Sequence, residues 1–157
     1  MPHGARSLAA PAAVTVAVLL TGCAPTIGVE AAEDAANPRC AEVMLALPDE
    51  LAADLPKVRT DSQATAAWGE PGAAVTLRCG VTPPGPSADC QRVESATGTV
   101  DWIVATDGGD TWSFTTYGRE PAVEVVVPPA VRERHSTAFV ADMGQAVSAV
   151  PATKECS

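Results

Sequence analysis

The cysteine at position 23 has the chemical surroundings of a lipid attachment site. Cys23 follows Leu20-Thr21-Gly22, in which a branched apolar residue precedes two small residues. This order is typical of a bacterial lipobox, where the thiol is alkylated with diacylglycerol and the preceding segment is removed. We expect Cys23 to become a lipidated, palmitate-bearing first residue, and each buried methylene of its chains adds about 0.8 kcal/mol. The alternative is a plain secreted protein with a spare thiol, which is unusual in an oxidising compartment.

The residues before Cys23 match an export signal. Arg6 and the terminal amine give a positive start, and no acidic residue occurs before Glu30. Residues 9–20 are almost all Ala, Val or Leu. A membrane-spanning helix needs about 20 apolar residues, whereas this shorter run fits the core of a signal peptide. We expect a lipoprotein signal peptide at residues 1–22 and a lipid-anchored protein at the outer face of the cytoplasmic membrane.

Four further cysteines follow: Cys40, Cys79, Cys90 and Cys156. An even number in an exported chain predicts two disulfides. Of the three connectivities we favour Cys79 to Cys90, which closes a short proline-rich loop. Cys40 then pairs with Cys156, and this long loop contributes about 4 to 5 kcal/mol in the chain-entropy model. A zinc site is disfavoured, because the chain has no C-x-x-C pair and a single histidine after residue 22.

Length and charge limit the number of domains and the range of partners. Removing residues 1–22 from the 157-residue chain leaves enough for one domain with a single core. We therefore expect a lipidated cysteine and flexible tether at residues 23–37, and a single extracytoplasmic domain at residues 38–157. The formal net charge is −9, with 10 basic and 19 acidic residues. This acidity disfavours nucleic acid and anionic headgroups as general partners, because both are repelled.

Two sets of residues offer catalytic groups. His135 and Ser136 lie in a charged run that is typical of a solvated loop, and Ser136 is better explained as the N-cap of a following helix than as a nucleophile. The second set consists of carboxylates: Asp101, Asp107, Asp110 and Glu124. Paired carboxylates cleave glycosidic bonds, and the envelope contains polysaccharide. Against this, two of the aspartates flank a Gly-Gly turn because Asp favours turns, and the other two acids lie at outward strand positions.

The outward face of the predicted sheet carries a candidate binding patch. We expect Arg78, Tyr117 and Arg119 to converge there, with Trp68 and Asp101 nearby. Arginine and tyrosine are enriched where binding energy is concentrated, and basic residues are scarce in this chain. The alternative is that Arg78 and Arg119 form surface ion pairs with nearby carboxylates, which contribute little energy.

Apolar periodicity predicts the elements that position these side chains. Asn37-Pro38 marks a helix start, since Asn is a good cap and Pro is favoured at the first helical position. Alternating patterns predict strands at residues 73–79, 99–106, 111–117 and 122–127. Apolar residues at helical spacing after Ser136 predict a C-terminal helix. The expected fold is α+β: an antiparallel sheet of about four strands, with helices packed on one face and two disulfides as staples.

The turn around Gly108-Gly109 decides which face each tryptophan takes. A strict two-residue turn would place Trp102 and Trp112 on opposite faces of the sheet. One bulged residue instead gives a single apolar face, made of Val100, Trp102, Val104, Trp112 and Phe114. The outward residues are then Asp101, Ser113, Thr115 and Tyr117. We expect the bulged turn, because the resulting hairpin is far more amphipathic.

A longer pattern resembles a known family. It consists of residues 67–71 (AWGEP), residues 75–81 (VTLRCGV), Asp101-Trp102 and residues 116–119 (TYGR). These are similar to domain of unknown function 3515, a family of small actinobacterial lipoproteins. The resemblance extends from Cys40 to Val127 and implies a cell-envelope location, but it implies no activity.

These observations predict a non-enzymatic accessory or binding domain in the cell envelope. We expect the membrane as a partner through Cys23, and an envelope protein or glycan as a further partner. No cofactor, metal or nucleic acid is expected. The alternative is a carboxylate-based envelope glycan hydrolase, which requires Asp101 to lie within about 10 Å of another carboxylate in a cleft.

Overall fold

One large sheet dominates the protein, in a computed structural model that describes Met1 and residues 25–157. The nine strands in this part of the chain are β1 (Thr26–Ile27), β2 (Glu50–Leu51), β3 (Leu55–Thr60), β4 (Thr65–Glu70), β5 (Ala73–Val81), β6 (Cys90–Ser95), β7 (Gly98–Thr106), β8 (Trp112–Thr116) and β9 (Ala122–Val127). Their order is β1-β3-β4-β5-β9-β8-β7-β6, and β2 pairs with β3. All pairings are antiparallel except β1 with β3.

The helical segments in residues 25–157 are short. They are α1 (Pro38–Ala46), α2 (Pro129–Arg132), a 3₁₀ helix (Thr137–Met143) and α3 (Gly144–Val147). The predicted helix start at Asn37-Pro38 is confirmed, because the Asn37 side chain accepts a hydrogen bond from the Arg39 amide at 3.0 Å. No helix of the described chain is long and apolar enough to cross a membrane.

The expected sheet of about four strands is wrong. The sheet has nine strands, and the helices are much shorter than a layer of two packed helices requires. Periodicity misses β4 because Thr65 to Gly69 are all buried, so that apolar and polar residues do not alternate. Alanine and glycine also have little intrinsic preference for strands. A strand covered on both faces therefore depends on packing that a local pattern does not reveal.

The core lies between the sheet and the short helices. Trp68 of β4 and Trp102 of β7 are fully buried. They belong to one cluster with Val43 of α1, Met143 of the 3₁₀ helix and Val147 of α3. In addition, α1 contacts β5 and α3, and α3 contacts β7. Helices and strands thus share a single core.

The β7–β8 hairpin has the expected faces. Trp102 pairs with Thr116 and Val104 pairs with Phe114, which places both predicted apolar sets on the same side. The turn is five residues long, from 107 to 111, because Thr106 is opposite Trp112. Asp107 Oδ1 organises this turn by accepting hydrogen bonds from the amides of residues 109 and 111, at 2.8 and 3.2 Å.

The expected disulfide pairing is wrong, although all four cysteines are bonded. Cys40 pairs with Cys79, and Cys90 pairs with Cys156. The reason is sheet topology. Cys79 lies in β5 and Cys90 in β6, which are four strand spacings apart, or roughly 19 Å. A disulfide requires its Cα atoms to be within about 7 Å, so the proline-rich loop crosses the sheet instead of being closed by a bond.

The N-terminal part of the described chain packs on the domain, which differs from the flexible tether expected up to residue 37. We call residues 26–35 the docked segment. Its β1 pairs with residues 59 and 60 of β3, and the Val29 amide donates to Asp61 Oδ1 at 3.0 Å. Its Ala32 and Ala35 are buried. Small residues, rather than large apolar ones, make these contacts, which is why the composition suggests a tether. Residues 2–24, which include Cys23, lie outside the described residues.

Candidate functional site

A pocket of about 230 Å³ lies on the face of the sheet opposite the core. We call it the polar pocket, and its lining residues are Arg92, Glu94, Thr99, Asp101, Tyr117, Arg119, Ala152, Lys154 and Glu155. Strands β6 and β7 supply the floor, because Arg92 pairs with Asp101 in the sheet register. The chain following Val150 supplies the remaining wall. The pocket therefore joins an edge of the sheet to the end of the chain.

Asp101 is the central carboxylate of the polar pocket. Its side chain is only 6% exposed and receives two hydrogen bonds from Arg92, at 3.0 and 3.3 Å. The Cys156 amide donates a third at 2.6 Å. These contacts, led by the hydrogen bond from Arg92, hold the pKa of Asp101 below its usual value despite the opposing effect of burial. Asp101 is thus a fixed anion.

Arg119 is a buried cation beside this carboxylate. It is 7% exposed, and its Nη1 donates to the carbonyl oxygens of Val150 and, at 3.5 Å, Val147. Its Nη2 donates to the Thr99 carbonyl at 3.4 Å. Its buried Nε has no partner within the described residues. Desolvation lowers the pKa of Arg119, and the charge of Asp101 acts in the opposite direction. Arg119 therefore links the pocket to the end of α3.

The end of the chain is held across the pocket by several kinds of bond. We call residues 152–156 the C-terminal strap. Its Ala152 forms a bridge with Arg119, and the amide of Thr153 donates to the Gly118 carbonyl at 2.7 Å. Gly118 has φ +71°, and a Cβ there would lie 2.7 Å from the carbonyl carbon of Lys154. The Cys90–Cys156 disulfide ties the far end to β6.

The predicted patch is divided by the structure. Asp101, Tyr117 and Arg119 meet in the polar pocket. Arg78 lies apart from them, in an ion pair with Glu124 at 2.6 Å, and lines a different pocket. Trp68 belongs to the core, where its Nε1 donates to the Pro48 carbonyl at 2.9 Å. For Arg78 the ion-pair interpretation is therefore correct.

Sequence reasoning missed Arg92, Lys154 and Glu155. Arg92 lies in β6, whose sequence CQRVES gives only a weak alternation of side chains. The two tail residues come after the last predicted helix, and nothing in their sequence indicates that they fold back. The one usable signal was Cys156, because a bonded cysteine next to the terminus brings its neighbours to the sheet.

Most of the candidate catalytic groups lie apart from one another, but Asp101 has a second carboxylate close by. The Ser136 hydroxyl accepts from the Ala138 amide at 3.3 Å, as expected for an N-cap, and His135 Nδ1 lies 3.5 Å from a carboxylate oxygen of Asp54. Nη2 of Arg92 contacts both Asp101, at 3.3 Å, and Glu155, at 3.0 Å. These two carboxylates are therefore closer together than the limit of about 10 Å set for the hydrolase alternative.

The remaining carboxylates named for catalysis have structural partners. Asp107 Oδ1 organises the hairpin turn, and hydrogen bonding, chiefly from the Gly109 amide, lowers the pKa of Asp107. Asp110 contacts Arg132 at 3.2 Å. Within residues 25–157, no cluster of three or more His, Cys, Asp or Glu side chains is arranged to hold a metal ion.

Fold and pocket together define a small domain built on one sheet and stapled by two disulfides. The chain belongs to the family described as Protein of unknown function (DUF3515), whose model matches residues 7–156. This match confirms the resemblance noted in residues 67–71 and 75–81. No curated protein and no solved structure matches the chain.

Proposed function

We propose that this chain is a membrane-anchored extracytoplasmic lipoprotein whose domain binds a partner without catalysis. The anchor is supported by the lipobox order of residues 20–23 and by the short apolar run before it. The four bonded cysteines are consistent with an oxidising compartment, where disulfides persist. The polar pocket is the binding site in this proposal.

One observation carries the binding role: Asp101 and Arg119 are buried, charged and fixed by protein groups. Ordered groups of this kind favour recognition, because little side-chain entropy is lost when a partner is bound. A nucleophile or proton donor, by contrast, has to be chemically available. Asp101 and Arg119 are instead engaged in hydrogen bonds with other groups of the domain.

The composition of the pocket indicates the kind of partner. Three cationic and three anionic side chains line it, in a chain that is acidic overall. Such a mixed surface offers hydrogen-bond donors and acceptors at close spacing. It suits a polypeptide segment or a hydroxyl-rich glycan, both of which carry donors and acceptors. We therefore propose an envelope protein or glycan as the partner.

The hydrolase alternative is supported by the proximity of Asp101 and Glu155. It requires one carboxyl group with a raised pKa to protonate the leaving oxygen. The pKa of Asp101 is instead lowered, chiefly by its hydrogen bond with Arg92, and the guanidinium of that residue contacts both carboxylates. Incubation of the protein with envelope polysaccharide is expected to release no new reducing ends. Release that disappears in Asp101→Asn would favour the hydrolase.

The binding proposal is tested by in-cell crosslinking and pull-down of the full chain. Lys154→Glu changes an exposed cation at the pocket, whereas Arg39→Glu makes the same charge change at an exposed position of α1. We expect a specific partner to be captured by the natural sequence and by Arg39→Glu, and to be lost from Lys154→Glu. Equal capture by all three proteins would contradict the assignment of the pocket.

The anchor has its own test. Replacing Cys23 by Ser removes the thiol that the lipid requires. We expect the natural chain to incorporate labelled palmitate and the variant to incorporate none. Palmitate incorporation that survives the replacement would contradict lipid attachment at Cys23.

A further inference from the structure

The docked segment is fixed to the domain along most of its length. At its start, β1 pairs in parallel with residues 59 and 60. In its middle, the Val29 amide donates to Asp61, and this hydrogen bond is the main reason that the pKa of Asp61 is lowered. Near its end, the Asp34 amide donates to the Gly80 carbonyl at 3.0 Å. The chain therefore enters the sheet at residue 26.

The domain is shaped to receive this segment. Gly80 has φ +99°, and a Cβ there would lie 2.6 Å from the Ala35 amide nitrogen and closer still to the carbonyl of Asp34. Only glycine permits so close an approach of two backbones without displacing one of them. Ala32 and Ala35 are 9% and 8% exposed where they pack on the domain. The contact is thus an integral part of the fold.

The position of β1 limits the distance between the domain and a lipid on Cys23. Thr26 is three residues beyond Cys23, and three residues span at most about 11 Å. A free tether reaching residue 37 would extend to about 50 Å. We propose that the sheet edge formed by β1 and residues 57–60 of β3, here called the membrane edge, lies against the phospholipid bilayer. This inference rests on the lipid anchor of the proposed function.

The orientation has a consequence for the polar pocket. The membrane edge is at one end of the strand order, and β6 is at the other, seven spacings or up to roughly 34 Å away. Arg92 and Glu94 of β6 line the polar pocket. The lipid therefore holds the pocket on the side of the domain that faces away from the bilayer, where a partner in the envelope has access to it.

The proximity of the membrane edge is measured by energy transfer from a fluorescent amino acid to an acceptor dye on lipid headgroups. The full lipidated chain is reconstituted in phosphatidylcholine vesicles, with the donor at Gln63 or at Ala96. Both positions are exposed and lie in hairpin turns, and Gln63 is 40 residues from Cys23 in sequence although it is next to the docked segment in the fold. We expect transfer from residue 63 to exceed that from residue 96 by about twofold or more, since about five strand spacings separate them.

The matched control lengthens the link without altering the domain. A flexible Gly-Ser insertion of about 12 residues between Ala24 and Pro25 adds roughly 20 Å of average reach and should bring the two transfer efficiencies close to equality. Equal transfer from the two positions in the natural chain would overturn the proposed orientation while leaving the anchor intact. Failure of the natural chain to bind the vesicles would instead refute the lipid anchor, and the membrane edge with it.

Discussion

The two disulfides stabilise two regions of different character. Cys40–Cys79 joins α1 to β5 inside the core, and its cysteines are 1% and 0% exposed. Cys90–Cys156 joins the edge strand β6 to the chain terminus, and both cysteines are partly exposed. The first is surrounded by apolar side chains, whereas the second lies beside the charged groups of the polar pocket. Cys40–Cys79 therefore supports the fold, and Cys90–Cys156 positions the polar pocket.

The difference also appears in how the docked segment and the C-terminal strap are held. The docked segment contacts Gly80, next to the core cysteine, through backbone hydrogen bonds and small side chains. The C-terminal strap depends on the disulfide, on Asp101 and on the close contact at Gly118. Local opening is easiest where few apolar contacts are lost. We therefore expect the C-terminal strap to detach before the core is disturbed.

The largest effect is expected from removing the core disulfide. In a Cys23→Ala chain, the double change Cys40→Ala and Cys79→Ala should lower the free energy of unfolding by about 4 kcal/mol or more, from loop entropy together with lost packing. Urea unfolding followed by tryptophan fluorescence measures this loss.

Removing Cys90–Cys156 should have a smaller effect than removing Cys40–Cys79. The Cys90–Cys156 disulfide closes a longer loop than Cys40–Cys79, with a sequence separation of 66 against 39, so the entropy model assigns it the larger effect. We nevertheless expect the double change Cys90→Ala and Cys156→Ala to cost only about 1 to 3 kcal/mol, because the C-terminal strap detaches while the sheet remains folded. A loss equal to or greater than that of the core pair would contradict the distinction between the two regions.

Gly80 and Gly118 lie beneath the docked segment and the C-terminal strap, respectively. Gly80→Ala and Gly118→Ala should each cost about 2 to 4 kcal/mol, from strain at positive φ and from the clash with the crossing backbone. Gly72→Ala is the matched control, since φ is +84° there but no atom lies within 4 Å of the added Cβ. It should cost about 1 to 2 kcal/mol.

The rate of disulfide reduction distinguishes the region around Cys40–Cys79 from the region around Cys90–Cys156. Gly118→Ala should speed the reduction of Cys90–Cys156 by dithiothreitol, whereas Gly80→Ala should leave that rate unchanged. If Gly80→Ala accelerates the reduction equally, the docked segment and the C-terminal strap are coupled, and the two regions are not independent.

Asp101→Asn should cost about 1 to 3 kcal/mol at pH 7, because it weakens charged hydrogen bonds within the pocket. The folded-state pKa of Asp101 is lowered, so its stabilisation is present above the unfolded value of about 3.9 and is lost as the pH falls through the folded value. The stability difference between the natural chain and the variant should therefore shrink below about pH 4. Urea unfolding from pH 7 to pH 3 tests this, and a difference that persists undiminished would argue against a charge-based role.

The smallest effect is expected at Arg78. Its ion pair with Glu124 is partly exposed, at 36% for the arginine side chain, and such pairs contribute about 0 to 1 kcal/mol. Arg78→Ala should accordingly change stability by less than any substitution above and leave partner capture intact. Loss of capture would mean that the binding surface extends beyond the polar pocket.

Local patterns predicted the elements with strong alternation or clear caps. The hairpin faces follow from the period of two in residues 99–117, and Asn37-Pro38 begins α1 as its sequence indicates. Prediction failed where tertiary contacts decide. The buried strand β4 lacks alternation, β6 depends on pairing with β7, and the docked segment packs through alanines. Sheet order, which sets the disulfide pairing, has no local signal.

Only part of the polar pocket is predictable from the sequence, because local register places some of its residues and tertiary contacts place the others. Tyr117 and Asp101 are paired by the β7–β8 hairpin, so their meeting follows from local register. Arg92, Lys154 and Glu155 join them only through the edge strand and the C-terminal strap. Arg78 lies apart from them because β9 and β8 separate β5 from β7, and Trp68 is buried in β4, which local patterns do not predict.

A non-reducing peptide map determines the disulfide pairing, and through it the strand order. Trypsin together with cleavage before aspartate separates all four cysteines, because Asp89 lies between Cys79 and Cys90. The structure predicts that the peptide 40–48 is linked to 79–88, and that 89–92 is linked to 155–157. A link between peptides 79–88 and 89–92 would contradict the strand order, the two regions built on it and the polar pocket.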